Sequence, residues 1–151
     1  MTSLTRDYEP ENEEEEQVFM YGLLLNSGRG VAATLPGYRL AFSHFATPVE
    51  DEDGTMYGAV ITVDTAGLRY FDKVEGVRED GSGYYHRERL QTSEGPAWVY
   101  LMNERYVEQD NPPAPHYVRG MEKAYDRLGH PVRAYAELER AMEEAYGGPA
   151  D

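Results

Sequence analysis

The chain has no cysteine, and its 14 Lys and Arg stand against 28 Asp and Glu, for a net charge of −14 over 151 residues. Without cysteine there are no disulfides and no thiolate metal ligands, and a reducing cytoplasm is the expected location. The shortage of positive charge means that a phosphate backbone or an anionic lipid surface is repelled, so neither nucleic acid nor a membrane is an expected partner. No stretch approaches the roughly 20 apolar residues of a membrane span, and the N-terminus has no basic segment followed by an apolar run. These absences describe a soluble protein.

Several catalytic and binding motifs are missing too. The histidines His44, His86, His116 and His130 lie in separate segments with no pair at ligand spacing, so a metal site is not expected. No serine sits in a G-x-S-x-G elbow. Gly28-Arg29-Gly30 fits neither glycine-rich phosphate-binding pattern and reads as a turn.

What is present is enough chain for one domain with its own core. Residues 1–16 carry one Arg against one Asp and six Glu, and read as a disordered acidic tail. The folded domain is expected over 17–146, followed by a short tail at 147–151. QVFMYGLL at 17–24 reads as a buried strand running into the turn-rich NSGRG. Further strands are expected at 37–45 and 56–63, with the acidic EDEDG at 50–54 as a turn between them. Residues 84–92 and 97–102 read as a hairpin across SEGP. After a polar linker at 103–113, two helices close the chain: Tyr117, Met121, Tyr125 and Leu128 mark the apolar face of the first, and Tyr135, Leu138, Met142 and Tyr146 that of the second, which Pro131 begins. Strands around one internal helix, then a helical hairpin, indicate an α+β domain with a mixed, barrel-like sheet. The 13 tyrosines suit an aromatic-lined pocket, and equally an ordinary core.

The internal helix, DTAGLRYFDKVEG at 64–76, holds the main anomaly. At about 100° per residue Leu68, Phe71 and Val74 form an apolar stripe, and Glu75 falls between Leu68 and Phe71. Asp64 or Thr65 caps the start and Gly76 is the expected C′ residue. A carboxylate is thereby turned toward the core at the negative end of the helix dipole, which raises its pKa and suits general acid/base work. The alternative is structural: Glu75 as partner of a buried Arg87 or Arg39. Gly22 offers a similar choice between a β-bulge and a place where another group approaches the backbone, its amides forming an anion-binding nest.

VFMYGLL at 18–24 resembles the VF-x-YG-[ST]-L signature of the γ-glutamylcyclotransferase-like proteins, and FDKVEGV at 71–77 resembles their LD-x-x-EGV. YRLAF at 38–42, MYGAVITVD at 56–64, GYY at 83–85, YLM at 100–102, PAPHY at 113–117 and LGHP followed by Tyr135 fall in the same order as in that family, over roughly 17–142. The resemblance implies a small mixed β-barrel with flanking helices whose cavity binds a γ-glutamyl group. It implies an enzyme that converts a γ-glutamyl amino acid, peptide or amine to 5-oxoproline and a free amine, as in glutathione metabolism, with no metal or cofactor. By the same resemblance Glu75 is the catalytic acid/base, Tyr21, Gly22, Leu23 and Leu24 hold the substrate through their backbone, and Tyr117 closes the pocket. Leu23 departs from the family's Ser or Thr, which points to altered substrate preference. The other reading is a non-catalytic ligand-binding or regulatory module that has kept the pocket. Neither the leaving amine nor the oligomeric state is encoded in a recognisable motif.

Overall fold

A computed structural model describes residues 15–107 and 112–146. The expected acidic tail lies almost wholly outside the described residues, as do positions 108–111 of the linker and the tail at 147–151.

Five strands form one sheet: β1 (Glu16–Met20), β2 (Val31–Ser43), β3 (Phe45–Val63), β4 (Tyr85–Thr92) and β5 (Gly95–Met102). Helix α1 (Thr65–Val74) lies between β3 and β4, and α2 (Pro115–Leu128) and α3 (Val132–Ala145) follow the sheet. The strand order is β2-β3-β1-β5-β4. β1 runs antiparallel to β3 and parallel to β5, where Val18 faces Trp98, while the hairpins β2–β3 and β4–β5 are antiparallel. The fold is thus the expected α+β arrangement around a mixed sheet. The sheet does not close into the expected barrel. Its outer strands β2 and β4 form no ladder with each other, and Thr34 and the β4–β5 turn meet through Thr34 N–H to Ser93 Oγ (2.8 Å) and Ser93 N–H to Thr34 O (2.9 Å).

The central position of β1 explains its composition. Val18, Phe19 and Met20 are buried because a strand flanked on both sides and covered on both faces reads as a continuous apolar run. The exposed edge of β2 is covered by α3. Glu137 Oε2 accepts from the Leu40 N–H (2.8 Å) and Arg140 donates to Leu40 O (2.9 Å), so side chains of the helix satisfy the backbone groups that a further strand would otherwise pair.

Several boundaries differ from the sequence reading. The first strand stops at Met20 instead of running to Leu24, because Gly22 takes φ +62° and opens a 3₁₀ helix, Gly22–Ser27. β2 starts at Val31 and β3 at Phe45, well before the expected 37 and 56, and the two form one long hairpin. EDEDG is not a turn between strands but part of β3, opposite a register shift between Pro36 and Tyr38. The buried face of α3 is Ala134, Leu138, Ala141 and Ala145, with Tyr146 exposed. Small side chains let the helix approach β2 closely, and the bulkier Tyr135 and Met142 pack at its flanks. In α1, Leu68 is buried and Phe71 half-buried, whereas Val74 is exposed because the cavity opens beside the last turn.

Candidate active site

Two local structures, both built on glycine, face each other across a cavity of about 560 Å³. The first is the end of α1. Asp64 caps its start by accepting from the Gly67 N–H (2.8 Å). At the other end Glu75 is the C-cap and Gly76 follows at φ +72°. Val77 N–H donates to Asp72 O (2.8 Å) and Gly76 N–H to Lys73 O (3.2 Å), the paired bonds of a Schellman ending. This fixes the Glu75 backbone while its side chain enters the cavity.

Glu75 is the single charged residue of the lining among the described residues. Among the described residues its carboxylate forms no hydrogen bond and no ion pair. Burial raises its pKa above the ordinary glutamate value. The structural alternative fails on geometry. Arg87 pairs with Asp72, through Nε to Oδ1 at 2.7 Å and a second nitrogen to Oδ2 at 3.2 Å, and Arg39 approaches Glu144 at 3.7 Å.

Around Glu75 the floor is phenolic. Tyr21, Tyr85, Tyr100 and Tyr117 all line the cavity and all are buried. Burial pushes the Tyr21, Tyr85 and Tyr100 pKa values upward, and the Glu75 charge adds to each shift. These phenols therefore keep their protons, and the protons are committed: Tyr21 donates to Tyr100 O (2.5 Å), Tyr85 to Ala46 O (2.8 Å) and Tyr100 to Asp72 Oδ1 (2.7 Å). With their donors used, these oxygens can act toward a ligand only as acceptors, which together with a carboxylate suits an ammonium group.

The second local structure is the Gly22 turn. Tyr21 is extended at φ −147°, and the 3₁₀ helix then runs to Ser27 with Gly28 as a left-handed cap. No side chain caps its N-terminus, so its opening amides lack intrahelical partners. The absent Gly22 side chain is filled from outside. A Cβ there would lie 2.7 Å from the Tyr117 hydroxyl and 3.1 Å from Ala46 Cβ. The same hydroxyl accepts from the Ala46 N–H at 3.1 Å. Of the two readings of Gly22, close approach is the observed one, and there is no bulge.

Among the residues expected from sequence, Glu75, Tyr21, Leu24 and Tyr117 line one cavity, and Gly22 lies against Tyr117. Leu23 has its backbone in the turn, and its side chain lies outside the described residues. Sequence reasoning did not single out Phe45, Ala46, Tyr84, Tyr85 or Tyr100 as lining residues. The tyrosine count hinted at three of these, but Phe45 and Ala46 carried no signal, because the β2–β3 corner that brings them in has no motif. Among the described residues no group of three or more His, Asp or Glu could hold a metal ion, and no helix is long and apolar enough to cross a membrane.

Residues 18–126 match the family model described as gamma-glutamyl cyclotransferase, AIG2-like. A comparison with curated protein sequences finds no match. Among solved structures, the chain is similar to the uncharacterized protein loc79017 from Homo sapiens, at 22% identity and a TM-score of 0.71, covering 83% of this chain and 87% of that one. A structure described as a gamma-glutamyl cyclotransferase matches at 23% identity and a TM-score of 0.67, covering 91% and 94%. YkqA from Bacillus subtilis matches at 20% identity and a TM-score of 0.69, over 93% of this chain and 57% of that one. At these identities the structures share the fold.

Proposed function

The chain belongs to the gamma-glutamyl cyclotransferase, AIG2-like family, and on that premise we propose that it closes a γ-glutamyl amide to 5-oxoproline and releases the free amine, with Glu75 moving the proton. The observation that carries this reading is the Glu75 carboxylate, half-buried and unpaired, in a cavity whose other polar groups are tyrosines. A carboxylate kept only for structure would hold the arginine that Asp72 holds instead.

In the proposed reaction the substrate's α-amine attacks its own γ-carbonyl carbon, the ring C–N bond forms, and the amide C–N bond to the leaving amine breaks. Both reacting groups belong to one molecule, so the protein chiefly folds the γ-glutamyl chain, supplies a base and stabilises the oxyanion. The phenolic oxygens of Tyr21, Tyr85 and Tyr100 accept from the α-ammonium and hold it near Glu75. The carboxylate takes a proton from that ammonium and passes it to the departing nitrogen. The second proton, which the ring nitrogen sheds on becoming an amide, follows the same path, so that the amine leaves protonated; a raised pKa favours the task. Opening amides of the Gly22 turn bind the α-carboxylate or polarise the carbonyl. Leu23 supplies no hydroxyl there, a difference of one hydrogen bond, about 0.5–1.5 kcal/mol, which alters substrate preference while leaving the backbone donors in place.

Glu75→Gln tests the assignment. The variant should fold and lose 5-oxoproline release by roughly 10²–10⁴-fold, measured over a panel of γ-glutamyl peptides and amines. Equal rates in wild type and variant would refute it. Leu23 favours a second reading, a binding module without chemistry, for which ligand-dependent thermal shifts without product would be the signature.

A further inference from the structure

We infer that the amine this cavity releases is hydrophobic and carries no carboxylate, so that the substrate is the γ-glutamyl amide of an aryl or alkyl amine and not a γ-glutamyl amino acid or peptide. The inference rests on the cyclotransferase reading and adds the identity of the leaving group.

The cavity has two unlike ends. Its floor holds the phenolic oxygens of buried tyrosines and the half-buried Glu75 carboxylate, which suit a charged, polar γ-glutamyl head. The mouth is apolar. Val74 is 54% exposed and Phe45 41% exposed, though both line the cavity, and half-buried Tyr84 stands beside Phe45, edge to face at 6.3 Å. Tyr84 is backed by Tyr106 at 4.7 Å, which stiffens that wall. With the head on the floor, the amine of the scissile amide points to this mouth, and apolar surface carried by it would be removed from water against Val74, Phe45 and Tyr84.

Charge argues in the same direction. Among the described residues no Lys or Arg lines the cavity. Arg105 lies against the outer wall and is engaged, donating to Gly81 O at 2.9 Å with its guanidinium 5.6 Å from the Tyr106 ring centre. In a γ-glutamyl amino acid the second carboxylate sits one carbon from the scissile nitrogen. It would therefore enter an apolar mouth close to Glu75, on a protein of net charge −14, with no cation among the described lining residues to meet it.

Three compounds separate these effects. γ-Glutamyl-phenethylamide and γ-glutamyl-phenylalanine differ by one carboxylate, and γ-glutamyl-methylamide lacks the aryl tail. With the wild-type protein, kcat/KM for 5-oxoproline release should be at least about 10-fold higher for the phenethylamide than for either of the others. In Val74→Arg, at an exposed position that accepts a longer side chain, the ratio of phenylalanine to phenethylamide turnover should rise by about 10-fold. Equal use of the three compounds, or preference for the phenylalanine derivative, would overturn the inference and leave the activity standing. If none releases 5-oxoproline, calorimetric binding to the wild-type protein decides. The same order of affinity would support the leaving-group inference while the catalytic reading falls, and equal or absent binding would overturn both.

Discussion

Gly22 is the position where a single added carbon tests the most geometry. Its φ of +62° lies in the left-handed region, and its missing side chain leaves the space that the Tyr117 hydroxyl enters, 2.7 Å from where a Cβ would be. In Gly22→Ala the backbone conformation costs about 1–2 kcal/mol. The contact adds overpacking of about 1–3 kcal/mol, because Tyr117 is held from behind by the Ala46 N–H and by T-shaped packing on Phe42 at 6.0 Å. A total of about 2–5 kcal/mol corresponds to a Tm lowered by roughly 4–20 °C for a chain of this size. Circular dichroism melts of Gly22→Ala, Tyr117→Phe and the double variant resolve the two terms. Tyr117→Phe alone forfeits one hydrogen bond, about 1 kcal/mol. In the double variant the oxygen that meets the new Cβ is gone, so the steric part should be recovered and the backbone part retained, giving a coupling of about 1–3 kcal/mol. A Gly22→Ala protein melting within a degree or two of wild type would refute the close-approach geometry. So would strictly additive melting shifts, since they would mean that Tyr117 is not what the new carbon meets.

Two further predictions concern the charged groups. Burial raises the Glu75 pKa, so the folded state favours its protonated form. The associated stability is fully present below the unfolded-state value and is lost as pH rises through the folded value. Glu75→Gln should therefore raise Tm at neutral pH and leave it unchanged near pH 4. A Tm difference independent of pH would contradict the burial of this carboxyl. Arg87 and Asp72 are about one-quarter and one-fifth exposed, and Arg87 also lies over the Trp98 ring at 4.2 Å. Arg87→Met should cost about 1–3 kcal/mol in urea unfolding by leaving Asp72 with Tyr100 as its remaining hydrogen-bond donor, and Asp72→Asn in the same chain should recover part of it.

What could be read from the sequence was what is determined locally. The Asp64 cap, the Gly76 ending of α1, the second hairpin and the start of α3 beside Pro131 all depend on a few adjacent residues and occur close to where expected. The hairpin connection narrows from Ser93–Pro96 to Ser93–Glu94, and Pro131 serves as N-cap instead of first helical residue. The misplaced elements depend on partners far along the chain. Val-Ala-Ala-Thr-Leu-Pro-Gly at 31–37 has weak strand character and is held as β2 by register with β3. The α3 face rotated onto alanines because close approach to β2 outweighs side-chain size. At the site, Glu75 was marked by an acid out of phase with its helix, whereas Phe45 and Ala46 enter the cavity through the corner between β2 and β3, which no periodicity encodes.

The division of labour within α1 shows where sequence reasoning had to stop. Asp72 and Glu75 are three residues apart, close enough to be neighbours on the helix surface, and the chain offers both of them to one nearby arginine. Strand register makes the choice. Arg87 stands opposite Tyr100 in the β4–β5 ladder, and both side chains reach Asp72, which accepts from the guanidinium at 2.7 and 3.2 Å and from the phenol at 2.7 Å. With those donors taken three residues earlier, Glu75 is left with burial as the cause of its shifted pKa and phenols whose protons point elsewhere. One helix thus carries two carboxylates in opposite environments, the condition under which one remains structural and the other stays available for proton transfer.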